Sequence, residues 1–170
     1  MIQVYCGEGK GKTTAATGLA VRFLGSGGEV LLCAFLKTKK SSEYAPLEKL
    51  GAKVLCEPEQ FGFTWEMGED ERQRCTKANN GMLKEALEFF AKPGRRLAVL
   101  DEVTYIEKDG LCDRELLNRL IALSDSEHEL VFTGREPGEL LTAEADYISE
   151  VRGLRHPFQN GISARFGVEM

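Results

Sequence analysis

The sequence predicts an α/β fold: a mostly parallel six-stranded sheet with helices on both faces. Short apolar runs alternate with stretches of helical periodicity along the whole chain, as a parallel sheet with crossover helices requires. One run, VLLCAF at residues 30–35, is apolar nearly throughout, the mark of a strand buried on both faces. The composition allows such a core, with 170 residues, 42% hydrophobic and 29% charged, read as one domain over residues 1–170.

In chain order, residues 2–6 form the first strand. Ala15, Ala16, Leu19, Ala20, Phe23 and Leu24 then line one face of a helix, which Gly25-Ser26-Gly27-Gly28 ends. The second strand is 30–35, and a short helix over 44–50 leads to a third strand over 52–56. Residues 57–68 are a loop dense in aromatics. Met82, Leu83, Ala86, Leu87 and Phe90 stripe a helix stopped by Lys92-Pro93-Gly94. The fourth strand, 97–100, runs into Asp101-Glu102. A helix carrying Leu116, Leu117, Leu120 and Ile121 follows, then a fifth strand at 130–132 ending in Thr133-Gly134-Arg135, and a sixth at 147–151. No repeat, linker or low-complexity tract interrupts the pattern.

Composition excludes several functions. A net charge of −5 and a pI near 5.2 give a nucleic-acid partner no electrostatic support. No apolar run approaches the ~18 residues of a membrane span. The chain enters its first strand without a basic-then-apolar leader, which predicts a cytoplasmic protein. Five scattered cysteines with no Cys-x-x-Cys pair suit a reducing compartment and read as small core residues rather than a disulfide framework or zinc site. His128 and His156 have no second ligand at metal spacing and read as structural.

A parallel sheet delivers every strand's carboxyl end to one edge, where ligands bind. The segments that follow strands here carry the chemistry. The first is VYCGEGKGKTT, residues 4–14, which resembles a phosphate-binding loop except that Cys6 stands where the first glycine belongs. Its backbone N–H groups at a helix N-terminus suit phosphate oxygens, Lys12 adds a mobile charge, and the Thr13 hydroxyl suits Mg²⁺. The alternative is a tight glycine turn with no ligand. Asp101-Glu102 fits the acidic partner of such a loop, or else a solvated pair or helix cap. Arg135 fits a phosphate fork, or a surface salt bridge. Arg22 reads as a solvated face, and Lys37, Lys39 and Lys40 as an exposed loop. Phe61, Phe63 and Trp65 mark a flat ligand, a partner or a folded-over lid, or else a loop packed back on the core.

Taken together, GEGKGKTTAATGLAVR, GFTWE, LDEVTY, TGR and ISEVRGLRHPFQNGISARFGVE resemble the ATP:corrinoid adenosyltransferase family of the BtuR/CobA type, in order over nearly the whole chain. The resemblance implies a RecA-like P-loop fold and transfer of the 5′-deoxyadenosyl group of ATP to a reduced corrinoid. Cobalt(I) attacks C5′, and triphosphate leaves whole. It implies ATP held in reversed polarity, which accounts for the missing first glycine and leaves Cys6 without chemistry. Gly7, Glu8, Gly9, Lys10, Gly11, Lys12, Thr13 and Thr14 would wrap the triphosphate. Thr13 and Glu102 would hold Mg²⁺ or Mn²⁺ with Asp101 behind them, and Arg22 and Arg135 would lie near the phosphates. Phe63 and Trp65 would lie against the lower corrin face. The same resemblance implies a homodimer and a reduced flavoprotein as electron donor. Three departures stand out: Glu8 where a residue such as Asn is usual, no N-terminal extension over the corrinoid, and Ala34 in place of a polar residue. The rival readings are a small P-loop kinase or ATPase, and a nucleotide-binding corrinoid carrier or sensor without turnover.

Overall fold

A computed structural model describes residues 1–155, 157 and 161–168. Strand β1 (Ile2–Cys6) passes through the glycine loop into α1 (Lys12–Gly25), followed by β2 (Glu29–Ala34). Then come α2 (Tyr44–Lys49), β3 (Lys53–Cys56), α3 (Glu69–Phe90) and β4 (Arg96–Asp101). The rest is α4 (Val103–Lys108), α5 (Arg114–Ala122), β5 (His128–Thr133), α6 (Glu139–Thr142) and β6 (Tyr147–Glu150). The six strands fall where the apolar runs predict them. The short helices α4 and α6 carry too few turns for a periodic stripe and were not expected. Helix α3 begins well before its apolar stripe, because its first turns are polar and bury only Cys75 and Asn79.

The sheet order is β3-β2-β4-β5-β1-β6, and every pairing is parallel, which sharpens the expected mostly parallel sheet. The near-continuous apolar run of β2 is explained by two cores. Val30, Leu32 and Ala34 face one, beneath Ala16, Ala20 and Phe23 of α1 and Leu47 of α2. Leu31, Cys33 and Phe35 face the other, beneath Leu83, Ala86 and Leu87 of α3 and Leu117 and Leu120 of α5. Alternate side chains of a strand point to opposite faces, so a strand covered on both sides has no polar position.

Topology also opens a crevice. The chain leaves β2 for β3 and leaves β4 for β5, in opposite directions along the sheet. Neighbouring connections that diverge leave a gap at the carboxyl ends of their strands, the usual ligand position in such sheets. No helix among the described residues is long and apolar enough to cross a membrane.

Candidate active site

The glycine loop is seated against the end of β6. Gly9 N–H donates to the Val151 carbonyl at 2.7 Å, and Gly7 N–H donates to the Arg135 carbonyl at 2.8 Å. A side chain at Gly9 would meet the Val151 carbonyl oxygen at 2.7 Å and the backbone carbon of Arg152 at 2.8 Å, so only glycine fits there. Gly11 caps α1 with φ 117, a left-handed conformation that glycine adopts without a Cβ clash. The Lys12 ammonium lies across the loop and donates to the carbonyls of Gly7 at 2.7 Å and Gly9 at 2.9 Å. Glu8, Lys10 and Thr14 are exposed along the same turn. Cys6 is buried beneath it, and burial, with Glu150 nearby, pushes its thiol up against the pull of Lys12, so it stays unreactive.

Asp101 closes the floor. Its fully buried carboxylate accepts from the hydroxyls of Thr13 at 2.9 Å and Thr133 at 2.6 Å, and from the Lys37 ammonium at 2.7 Å. Thr133 Oγ1 in turn accepts the Glu102 N–H at 2.9 Å. That bond helps hold Glu102 at φ 63, an unfavourable backbone for a residue with a Cβ. The Glu102 carboxylate lies 3.6 Å from Lys37 Nζ. Burial pushes Glu102 up, Lys37 draws it down and Asp101 raises it again, with a net rise. For Lys37, burial would lower the pKa, but the two carboxylates overcome it and hold the ammonium charged.

These oxygens suit a hard divalent ion. Thr13, Asp101 and Glu102 offer one hydroxyl and two carboxylates around a point where a cation, the Lys37 ammonium, already sits. Among the described residues no group of three or more His, Cys, Asp or Glu assembles, here or elsewhere. A magnesium ion bound through one or two carboxylates and completed by substrate phosphates needs no such group.

The opposite wall is apolar. The crevice widens into a cavity of about 1150 Å³ lined by Glu8, Lys37, Glu102, Tyr105 and Arg135 on one side and by residues 60–66 on the other. Phe63 and Trp65 stack at 4.7 Å with planes 9° apart and remain 62% and 75% exposed. Their loop is held from α3: Glu71 accepts the Gly62 N–H at 2.8 Å, and Arg72 donates to the Thr64 carbonyl at 3.2 Å. An exposed aromatic pair across a cavity from charged side chains offers both an apolar face for a flat molecule and polar groups to orient it.

The sequence pattern of the family described as ATP:corrinoid adenosyltransferase BtuR/CobO/CobP matches residues 1–170. The chain belongs to this family. Corrinoid adenosyltransferase CobA of Salmonella typhimurium is 34% identical over 171 aligned positions, covering 99% of this chain and 85% of the relative. A corrinoid adenosyltransferase of Escherichia coli K12 is 33% identical, over 99% of this chain and 85% of the relative. One from Pseudomonas aeruginosa is 32% identical, over 99% and 83%.

For this adenosyltransferase chain, the structure brings the loop, Asp101, Glu102, Arg135, Phe63 and Trp65 to one crevice. Arg22 does not join them. It sits exposed in the last turn of α1, ten residues and about 15 Å along the helix from Lys12. Lys37 corrects the expectation of an exposed loop: its ammonium is an inner member of the site. The aromatic cluster divides, since Phe61 packs into the core while Phe63 and Trp65 stay outside. Arg135 is paired with Glu8 at 3.0 Å, so the uncommon Glu8 turns toward the cavity mouth. His128 is structural, bonded to Asp125 at 3.0 Å and packed on Phe90. His156 and Phe158 of the tail motif lie outside the described residues. Thr133, Tyr105 and the backbone of Val151 were not singled out from sequence. Nothing in their spacing marks them, and only their position after strands could have.

Proposed function

We propose that the protein transfers the 5′-deoxyadenosyl group of ATP to the Co(I) of a reduced corrinoid and releases triphosphate. One observation supports the reading beyond family membership: Glu8 of the glycine loop, Lys37, Glu102 and Arg135 line the same cavity as the exposed Phe63–Trp65 stack.

Gly7 to Thr14 wrap the triphosphate, with Lys12 leaving the loop carbonyls to neutralise it. Thr13 and Glu102 would hold Mg²⁺ or Mn²⁺, with Asp101 orienting the Thr13 hydroxyl from behind. Bound there, the ion would offset negative charge on the leaving triphosphate. ATP lies with its ribose toward the aromatic wall, so C5′ meets cobalt and the phosphates lie deep. Phe63 and Trp65 cover the lower corrin face and deny cobalt an axial ligand, which eases reduction to Co(I). Co(I) itself supplies the attacking electron pair, so the C5′–O bond breaks without a general base. Catalysis then rests on positioning and on charge stabilisation of the leaving group. The whole chain acts as one domain, in the cytoplasm, with a reduced flavoprotein as donor. A homodimer is supported by the exposed edge strand β6, where Tyr147 and Ile148 face solvent.

The test is anaerobic mixing of protein, ATP, Mg²⁺ and chemically reduced cob(I)alamin. Light-sensitive adenosylcobalamin with intact triphosphate is expected. ADP with orthophosphate would replace this reading with a kinase or ATPase. Bound corrinoid without a cobalt–carbon bond would replace it with a carrier.

A further inference from the structure

Lys37 stands where the divalent ion of the proposed site would stand. Its Nζ is 2.7 Å from Asp101, 3.4 Å from the Thr13 hydroxyl and 3.6 Å from Glu102. A magnesium ion on Thr13 and Glu102 needs metal–oxygen distances of about 2.0–2.1 Å, which leaves no room for an ammonium among the same oxygens.

This placement is built into the fold. Leu36, which presents Lys37, has φ 58. Leu36 and Glu102 are the two non-glycine residues with positive φ among the described residues. Such strain persists where the surroundings over-determine it, typically at functional sites. Here the buried Glu57 clamps the turn from both sides. Its carboxylate accepts the Leu36 N–H at 3.4 Å, and its own N–H donates to the Lys37 carbonyl at 2.8 Å.

We propose that Lys37 holds the metal slot closed in the nucleotide-free protein, so that the divalent ion and the triphosphate enter together. This rests on Thr13 and Glu102 being the metal ligands. The physical reason is charge balance. A divalent ion arriving alone must expel the ammonium from two carboxylates, and Lys12 is already the next cation in the loop. Triphosphate brings several negative charges and gives both lysines new acceptors. The four-carbon stem lets the ammonium swing without moving the strained backbone. The two ligands are then coupled, each raising the affinity for the other.

The experiment is Mn²⁺ binding to the full chain, followed by the EPR signal of the free ion, without nucleotide and then with inorganic triphosphate, the latter measured against a protein-free control that gives the Mn²⁺ chelated by triphosphate alone. The unaltered protein binds Mn²⁺ weakly alone and tightly with triphosphate. Lys37→Gln is expected to bind Mn²⁺ alone at least about tenfold more tightly, within the usual range of coupling between sites, and Lys37→Arg, which keeps the charge, is not. Equal nucleotide-free affinity in the unaltered protein and Lys37→Gln overturns the inference. So does strong Mn²⁺ binding to the unaltered protein without triphosphate, a measurement that needs no variant to fold. Adding Glu102→Gln to Lys37→Gln separates the two claims. A gain that survives it overturns the metal-site reading instead, whereas a gain that disappears is the expected result.

Discussion

At Trp65, three-quarters of the side chain is exposed, yet it is stacked on Phe63 and held by a loop tied to α3. The exposed face of that stack gains further burial when something flat covers it. Trp65→Ala is expected to weaken corrinoid binding by about 1.5–3 kcal/mol, the worth of burying one large apolar side chain, and to abolish Co(II) reduction in the bound state. ATP affinity, measured by calorimetry, should be unchanged; an equal loss of both would remove Trp65 from the corrinoid face. Glu57 offers a second test at this scale. It is 5% exposed, and burial pushes its carboxyl up to about 7, against the pull of the Leu36 N–H and with Glu59 adding to the rise. The folded protein therefore keeps a proton that the unfolded chain has released. Stability should fall as pH rises from the ordinary glutamate value of 4.5 toward 7, by an amount of order 3 kcal/mol. Glu57→Gln should flatten that slope in urea titrations, and an identical slope in the variant would place its origin elsewhere.

At the scale of elements, caps and contacts set stability independently of chemistry. Helix α5 starts at Asp113, whose carboxylate accepts the Glu115 N–H at 2.9 Å. Asp113→Ala should cost about 1 kcal/mol, lowering Tm by roughly 2–4 °C in a protein of this size, while adenosyl transfer is unaffected. The glycine loop behaves oppositely. Gly9→Ala would drive a methyl into the backbone that follows β6. That backbone belongs to the sheet edge, so the loop must move instead. ATP affinity is expected to fall by ~1–3 kcal/mol, the usual cost of overpacking, with the far-UV spectrum unchanged. An ATP affinity equal to that of the unaltered protein would mean that the loop does not rest on β6 when loaded.

For the molecule as a whole, the proposed homodimer predicts sedimentation at twice the 18.9 kDa chain mass, and a charge change on the exposed β6, such as Ile148→Lys, should shift it toward monomer. A monomer at all concentrations would leave the edge strand to another role.

The sheet was legible in the sequence because both of its faces are covered. Residues 30–35 had to be apolar at every position, and that leaves a trace no local context erases. The glycine loop was legible because its glycines, lysine and threonine stand at fixed spacing between a strand and a helix. The convergence of the segments that follow strands was also legible, since parallel strands share one carboxyl edge. Other features were not. Lys37 looked like any lysine in a loop, since its role depends on an Asp101 that is 64 positions away in sequence and 2.7 Å away in space. The aromatics of residues 61–65 could not be divided by pattern, because the side chain that joins the core is set by the route of the loop over α3. Arg22 was assigned by resemblance, and the rise of α1 carried it away from the crevice. The sequence by itself determined the strands, the glycine loop between β1 and α1 and the sheet edge that the segments after strands share, because those follow from periodicity and local backbone demands. Only the tertiary structure decided which charges meet there, because ion pairing depends on distance through space, and the fold sets that distance.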